Sequence, residues 1–283
     1  MDIGGTRVHY LRDGDEAPGP THLLVHAMGT GAWSWMDVIG PLSERGLVIA
    51  PDLPGSGRSR PAHRDRGGVV AGARFLDDFT AALGIERMVV HGHSMGGLVG
   101  GVFAGGAPDL VERLVLTSAP LPGLPDPPRF PAAWRVGLDV VRPVADVIVG
   151  AGLRLKASAW ARSVEERDSS RLGSEVSRMS PELLSLAAEE VRRLVLRWRF
   201  EGAVDAAIAV LRALTVDEAR TREALDSITA PTRLLWGADD RVIPQRLIDD
   251  VHAARPGWRS RTIDGVGHLL PWESPGLYVE LAG

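Results

Sequence analysis

Short apolar runs alternate with helical patterns along this chain, and the alternation restricts its fold more than any other feature. Residues 22–27 (HLLVHA) and 46–52 (GLVIAPD) have the composition of buried strands, and each runs into a loop. Residues 70–83 carry apolar side chains at helical spacing and stop at Gly84. Further strand-like runs lie at residues 87–92, 113–119, 232–240 and 260–268. This order predicts an α/β fold whose mostly parallel central sheet is flanked by crossover helices.

The middle of the chain has a different composition and pattern. A proline-rich stretch, PLPGLPDPPRFP, cannot continue a helix or a central strand and predicts a connection that leaves the sheet. The residues after it look helical, with the strongest amphipathic segment at 181–200 and Ser180 as its expected N-cap. The predicted division is a core at 1–119 and 229–283 interrupted by an all-helical cap at 120–228. The alternative is that these helices are additional crossovers packed on the sheet.

The glycine-rich run VVHGHSMGGLVGG places Ser94 where a strand turns sharply into a helix. GHSMG matches GxSxG, the nucleophile elbow, in which a strained turn lifts the serine hydroxyl above the strand ends. Gly92 and Gly96 lie two residues to either side, where side chains would collide across the bend. Chance matches to GxSxG are common, but this one follows a β-branched strand and opens a helix. The pattern therefore favours a nucleophile over a structural turn.

A serine nucleophile needs a base, and the chain has eight histidines. His268 is the best candidate, because the segment DGVGHLLPWESP places it in a glycine-containing loop after the last clear strand. His91 and His93 flank the elbow, but the residue just before a nucleophile usually points away from it. The segment LLWGADDRVIP offers two aspartates to orient the base, and Asp240 is preferred to Asp239.

These motifs together resemble the α/β-hydrolase fold with a helical cap, and the resemblance covers nearly the whole chain. In that family the acid lies three residues after a glycine and four before a proline, which matches Gly237, Asp240 and Pro244. The order serine, aspartate, histidine is also the order of the family. The resemblance thus implies a triad of Ser94, His268 and Asp240.

The resemblance also implies an oxyanion hole built from two backbone amides. Met95 begins the helix after the nucleophile, so that its N–H can face a developing oxyanion. The loop HAMGTGAW after the first core strand matches the family's His-Gly loop and makes Met28 the second donor. This chain departs from the family at Ala27, where glycine is usual.

Four tryptophans are candidates for contact with a bulky acyl or aromatic substrate: Trp33 on the oxyanion loop and Trp134, Trp160 and Trp198 in the predicted cap. Tryptophans are more often core residues, and that interpretation stays open. We expect the substrate to be a small-molecule hydrophobic compound.

Composition excludes several other classes of function. The chain has no cysteine, which rules out disulfides, thiolate metal sites and thiol catalysis. Its net charge of −4 predicts no nucleic-acid partner, and no apolar run is long enough to span a bilayer, so that a cytoplasmic protein without a membrane partner is expected. No metal or organic cofactor is predicted, because neither paired ligand spacing nor a GxGxxG or P-loop motif is present. Monomer and homodimer both stay open.

Three functions are compatible with these residues. We favour a serine hydrolase that cleaves an ester, lactone or thioester through an acyl-enzyme. A carbon–carbon hydrolase for β-diketones ranks lower, because HAMGTG departs from the oxyanion loop of such enzymes. The third is a non-hydrolytic cyclase, eliminating enzyme or receptor on the same fold. Serine at position 94, where a nucleophilic aspartate would stand in a dehalogenase or an epoxide hydrolase, argues against both of those activities.

Overall fold

The computed structural model describes residues 1–15, 17–61, 68–122, 178–196, 213, 218–243 and 245–283. The strands in this part of the chain are β1 (Asp2–Ile3), β2 (Thr6–Arg7), β3 (Tyr10–Asp13), β4 (Thr21–Val25), β5 (Val48–Pro51), β6 (Arg60–Pro61), β7 (Met88–His93), β8 (Val111–Thr117), β9 (Thr232–Gly237) and β10 (Arg259–Ile263). The α-helices are α1 (Met36–Ser43), α2 (Val69–Ala82), α3 (Met95–Gly106), α4 (Pro181–Leu196), α5 (Glu218–Asp226), α6 (Gln245–Ala254), α7 (Leu270–Glu273) and α8 (Pro275–Ala282), and a 3₁₀ helix spans Ala32–Trp35.

Within the described residues, the main sheet has seven strands in the order β10-β9-β8-β7-β4-β5-β3. All neighbouring pairs are parallel except β3 and β5, which are antiparallel. Strands β1, β2 and β6 form a separate small antiparallel sheet. The prediction of a mostly parallel sheet flanked by helices is confirmed.

Both faces of the central strands are buried, which explains why they read as continuous apolar runs. On β7, Val90 belongs to the apolar cluster that includes residues of α2 and α3. Its neighbour Val89 belongs to the opposite cluster, which includes residues of α1 and α8. Successive side chains of a strand point to opposite faces, so one short strand serves two layers of helices.

The parallel register brings several strand ends to one edge of the sheet. Val25 of β4 lies opposite Gly92, and His93 of β7 lies opposite Thr117 of β8. Thr117 in turn lies opposite Leu235 on β9. The loops that follow these strands therefore emerge together, at the carboxyl edge where open α/β sheets bind ligands.

Parts of the predicted insertion are described, namely α4 and α5. Helix α4 begins where expected, because the Ser180 hydroxyl accepts a hydrogen bond from the Leu183 amide at 3.1 Å. The cap at 120–228 stays a prediction, since most of its residues lie outside the described part of the chain. Among the helices described here, none combines the length and apolar character needed to cross a membrane.

Candidate active site

Ser94 lies between β7 and α3 in a backbone conformation that side-chain-bearing residues rarely adopt. Its φ is 53° and its ψ is −122°. Its amide donates to the Thr117 carbonyl oxygen at 2.8 Å, which ties the turn to the neighbouring strand. Strain of this kind, which costs on the order of 1–3 kcal/mol, persists where the surrounding fold imposes it and is common at functional sites.

The two glycines of GHSMG permit close backbone approaches of different kinds. A Cβ on Gly92 would lie 2.5 Å from the Gly97 Cα, a collision across the turn as expected from the sequence. A Cβ on Gly96 would instead lie 2.2 Å from the Val25 carbonyl oxygen. Gly96 thus lets the start of α3 pack directly on the end of β4, where the loop with Met28 begins.

His268 lies in the loop between β10 and α7, with both ring nitrogens engaged. Its Nε2 is 3.1 Å from the Ser94 Oγ, and its Nδ1 is 2.8 Å from the Asp240 Oδ2. A carboxylate only accepts, so Nδ1 carries the proton and Nε2 is left to accept from the serine hydroxyl. The structure therefore brings together Ser94, His268 and Asp240, residues far apart in the chain.

Asp240 faces His268, whereas Asp239 is exposed. The Asp240 Oδ1 accepts hydrogen bonds from the amides of Val242 at 2.8 Å and Ile243 at 2.9 Å. Burial alone would raise the pKa of Asp240, but the hydrogen bond and charge of His268 and these two amides together lower it below its usual value. The carboxylate is therefore ionised and fixed in orientation. Pro244, the last residue of the family motif, lies outside the described residues.

The side chains of Asp52 and His26 hold the loop that carries Met28. The buried Asp52 accepts from the Ala32 amide at 2.6 Å and the Arg58 amide at 2.7 Å. The His26 ring donates from Nδ1 to the Ala27 carbonyl oxygen at 2.8 Å and accepts from the Leu53 amide at Nε2. Burial lowers the pKa of His26, which keeps its ring neutral and able to accept. These contacts fix the loop although Ala27 replaces the usual glycine.

Met95 begins α3 and Met28 lies shortly after β4, and these two elements touch at Gly96. Met95 is the first residue of α3, where an amide has no partner within the helix. Met28 follows β4 in a turn, and the residue is 42% exposed. Both residues thus lie near the carboxyl edge of the sheet, where the start of α3 meets the end of β4.

Trp33 packs against an apolar cluster between the core and α4. Its ring centroid is 5.5 Å from that of Trp272, and Met179 and Leu183 belong to the same cluster. The other predicted substrate-binding residues, Trp134, Trp160 and Trp198, lie outside the described residues.

The sequence analysis missed the contacts that hold the backbone around His268. The Glu273 carboxylate accepts from the amides of Gly267 and Leu269, each at 3.1 Å. The buried His93 ring donates from Nε2 to the His268 carbonyl oxygen at 2.8 Å. Burial and the neighbouring His268 lower the pKa of His93 to about 3, so its ring stays neutral. One sequence signal for Glu273 was available: an acidic residue directly after the apolar LLPW is a candidate for a buried, paired charge.

Over the residues that the structure describes, no group of three or more His, Asp or Glu side chains is placed to hold a metal ion. The described site consists instead of one hydroxyl, one imidazole, one carboxylate and nearby backbone amides. A hydroxyl hydrogen-bonded to an imidazole that is itself hydrogen-bonded to a carboxylate can act as an activated nucleophile.

The family model described as "alpha/beta hydrolase fold" matches residues 20–275. This chain is a member of the α/β-hydrolase fold family. The resemblance drawn from GHSMG and its partners is thereby confirmed at the level of the family. The match spans the described core and the predicted insertion alike.

Relatives within the α/β-hydrolase family cover most of this chain. An uncharacterised protein of Mycobacterium tuberculosis is 30% identical over 93% of this chain and 74% of its own length. N-formylmaleamate deformylase of Pseudomonas putida is 26% identical over 96% of this chain and 90% of its own length. The solved structure of the epoxide hydrolase CorEH superposes with a TM-score of 0.71 at 25% identity, covering 100% of this chain and 95% of that one. Family and relatives together support a hydrolase.

Proposed function

We propose that this α/β hydrolase is a serine hydrolase that cleaves an ester, lactone or thioester of a small to medium hydrophobic substrate through an acyl-enzyme. The observation that carries the proposal is the continuous contact from the Ser94 hydroxyl through the His268 ring to the Asp240 carboxylate, at 3.1 and 2.8 Å. Each distance lies within the reach that proton transfer and orientation of a base require.

In the proposed mechanism Ser94 Oγ attacks the carbonyl carbon of the substrate while His268 Nε2 takes its proton. Asp240 holds the Nδ1 proton and stabilises the imidazolium that forms. His268 then donates the proton to the leaving group. Water attacks the acyl-enzyme while His268 takes its proton, and His268 returns that proton to Ser94 as the acid is released. No further group is needed to balance these steps.

The amides of Met28 and Met95 are the proposed donors to the oxyanion. Contact between Gly96 and the end of β4 supports this role, because it brings the two elements together before substrate binds. A donor of this kind contributes roughly 3 kcal/mol to lowering the barrier in enzymes where one has been removed. The anchors Asp52 and His26 would keep the Met28 loop from having to reorganise during the reaction.

Ser94 also distinguishes this protein from a relative named as an epoxide hydrolase. A carboxylate that opens an epoxide forms an ester, which water can cleave. A serine alkoxide would form an ether, which this set of groups has no means of hydrolysing. Acyl transfer is therefore the chemistry that suits Ser94.

The test is Ser94→Ala in assays with p-nitrophenyl esters. We expect turnover to be abolished while circular dichroism shows an intact fold, and we expect a fluorophosphonate probe to label the wild-type protein but not the variant. Wild-type turnover by the variant would refute the nucleophilic role of Ser94. A folded wild-type protein that neither turns over activated esters nor takes the probe would favour the cyclase or receptor alternative.

A further inference from the structure

Glu273, the last residue of α7, is an acidic side chain in an environment that usually excludes charge. Its side chain has no exposed surface. Burying an ionised carboxylate is unfavourable unless hydrogen bonds and an opposite charge compensate for the lost water. Gly267 donates to both oxygens, Leu269 donates to Oε1, and Arg178 forms an ion pair with Oε2 at 3.1 Å.

The two amides bound by Glu273 belong to the residues on either side of His268. One carboxylate therefore spans the backbone of the proposed base and holds the peptide groups that enter and leave it. From the opposite side, His93 Nε2 donates to the carbonyl oxygen of His268 itself. The hydrogen bonds described above connect both side chains to the backbone of this loop and not to the Ser94 hydroxyl. Both therefore fix the conformation of the loop.

Arg178 supplies the positive charge opposite Glu273. It also donates to the Gly265 carbonyl oxygen, two residues before Gly267. Its side chain is 41% exposed, whereas that of Glu273 is buried, so the ion pair connects the surface to the interior of the loop. Arg178 lies just before α4, so this contact joins the predicted cap to the segment that carries His268.

We propose that Glu273 is a positioning residue for the catalytic base, fixing the loop 267–269 so that His268 meets Ser94 at hydrogen-bonding distance, with Arg178 as its counter-ion. This inference rests on the proposed function of Ser94 and His268. An acceptor-only group suits this position, because Gly267, Leu269 and Arg178 all donate to the carboxylate. Glutamine has the same shape, but its NH₂ group would face a backbone N–H or the guanidinium of Arg178.

The decisive variant is Glu273→Gln, assayed with a p-nitrophenyl ester that the wild-type protein hydrolyses. Displacing a catalytic group by about 1 Å can lower the rate on the order of 100-fold. We therefore expect kcat to fall roughly 10- to 100-fold, with KM within twofold of wild type. Glu280→Gln removes an exposed carboxylate elsewhere on the C-terminal helix α8 and is the matched control, with expected wild-type kcat and KM. A rise in KM with unchanged kcat, or wild-type values for both, would overturn the positioning role.

Arg178→Met provides a second, independent variant, because it alters the exposed partner and leaves the buried carboxylate in place. We expect a loss in kcat of roughly threefold with KM unchanged, and recovery in Arg178→Lys, since lysine restores a positive charge opposite the Glu273 carboxylate. If Glu273→Gln does not fold, this pair decides: full kcat in Arg178→Met would contradict the proposal.

Fluorophosphonate labelling separates failure of this inference from failure of the proposed function. Wild-type protein labelled at Ser94, with Glu273→Gln labelled at least tenfold more slowly, supports both. Equal labelling rates in the two proteins would overturn the positioning role and leave the serine hydrolase standing. Folded wild-type protein that is not labelled at Ser94 would refute the hydrolase, and the positioning role with it.

Discussion

Replacing Asp240 by asparagine tests the proposed triad at a single atom. The Oδ1 of Asp240 accepts two backbone amides, from Val242 and Ile243, while Oδ2 accepts the Nδ1 proton of His268. Asparagine keeps one oxygen, and that oxygen is best placed on the two backbone donors. Its NH₂ group then faces His268 Nδ1.

The cost of the opposite orientation can be worked out from these contacts. Turning the amide round would leave two backbone donors without an acceptor, at about 1–3 kcal/mol each, or about 2–6 kcal/mol in total. The smaller value corresponds to a roughly 30-fold preference for the NH₂ group on His268. With Nδ1 forced to accept, Nε2 carries the proton and faces the Ser94 hydroxyl as a donor, so it can no longer act as a base. The same change in a serine protease lowers kcat by about 10⁴.

We therefore expect Asp240→Asn to lower kcat for a p-nitrophenyl ester by about 10⁴ with little change in KM or in the circular dichroism spectrum. Asp239→Asn is the matched control, because Asp239 is exposed and its backbone contact with Val266 at 2.9 Å does not depend on the side chain. The control should keep its rate. More than a tenth of wild-type activity in Asp240→Asn, or an equal loss in Asp239→Asn, would refute the reasoning.

Two predictions concern stability. Burial and the nearby charges of Arg113 and Arg45 lower the pKa of His22 to about 4, and an unfolded histidine titrates near 6.5, so the unfolded state alone gains this proton as the pH falls. Protonation of His22 should therefore lower the free energy of unfolding by roughly 3 kcal/mol between about pH 6.5 and 4, as measured by urea titration. His22→Asn should reduce this decrease. An unchanged pH dependence in the variant would contradict the assignment. Ser94→Gly should raise the free energy of unfolding by about 1 kcal/mol, because glycine tolerates a φ of 53°, and should abolish turnover. A less stable variant would show that Ser94 is not strained.

Local pattern was sufficient to predict the turn that carries Ser94 and the strands of the main sheet apart from its edge strand β3. The apolar runs of β4, β7, β8 and β9 are buried on both faces, and such runs can be recognised without knowledge of their partners. The run GHSMG similarly combines a strand end, a residue with positive φ and a helix start within five positions. Each of these signals depends on neighbours in the chain.

The surroundings of the proposed base depended on contacts that no local pattern records. Glu273 is a charged residue in an apolar segment, but only the folded loop brings its carboxylate to the amides on both sides of His268. Arg178 reaches that carboxylate from 95 positions away in the chain, and Asp52 reaches the Ala32 amide on the proposed oxyanion loop. Parallel strands deliver their loops to one edge, but the paths of those loops, and hence which donor meets which acceptor, are decided by packing in three dimensions.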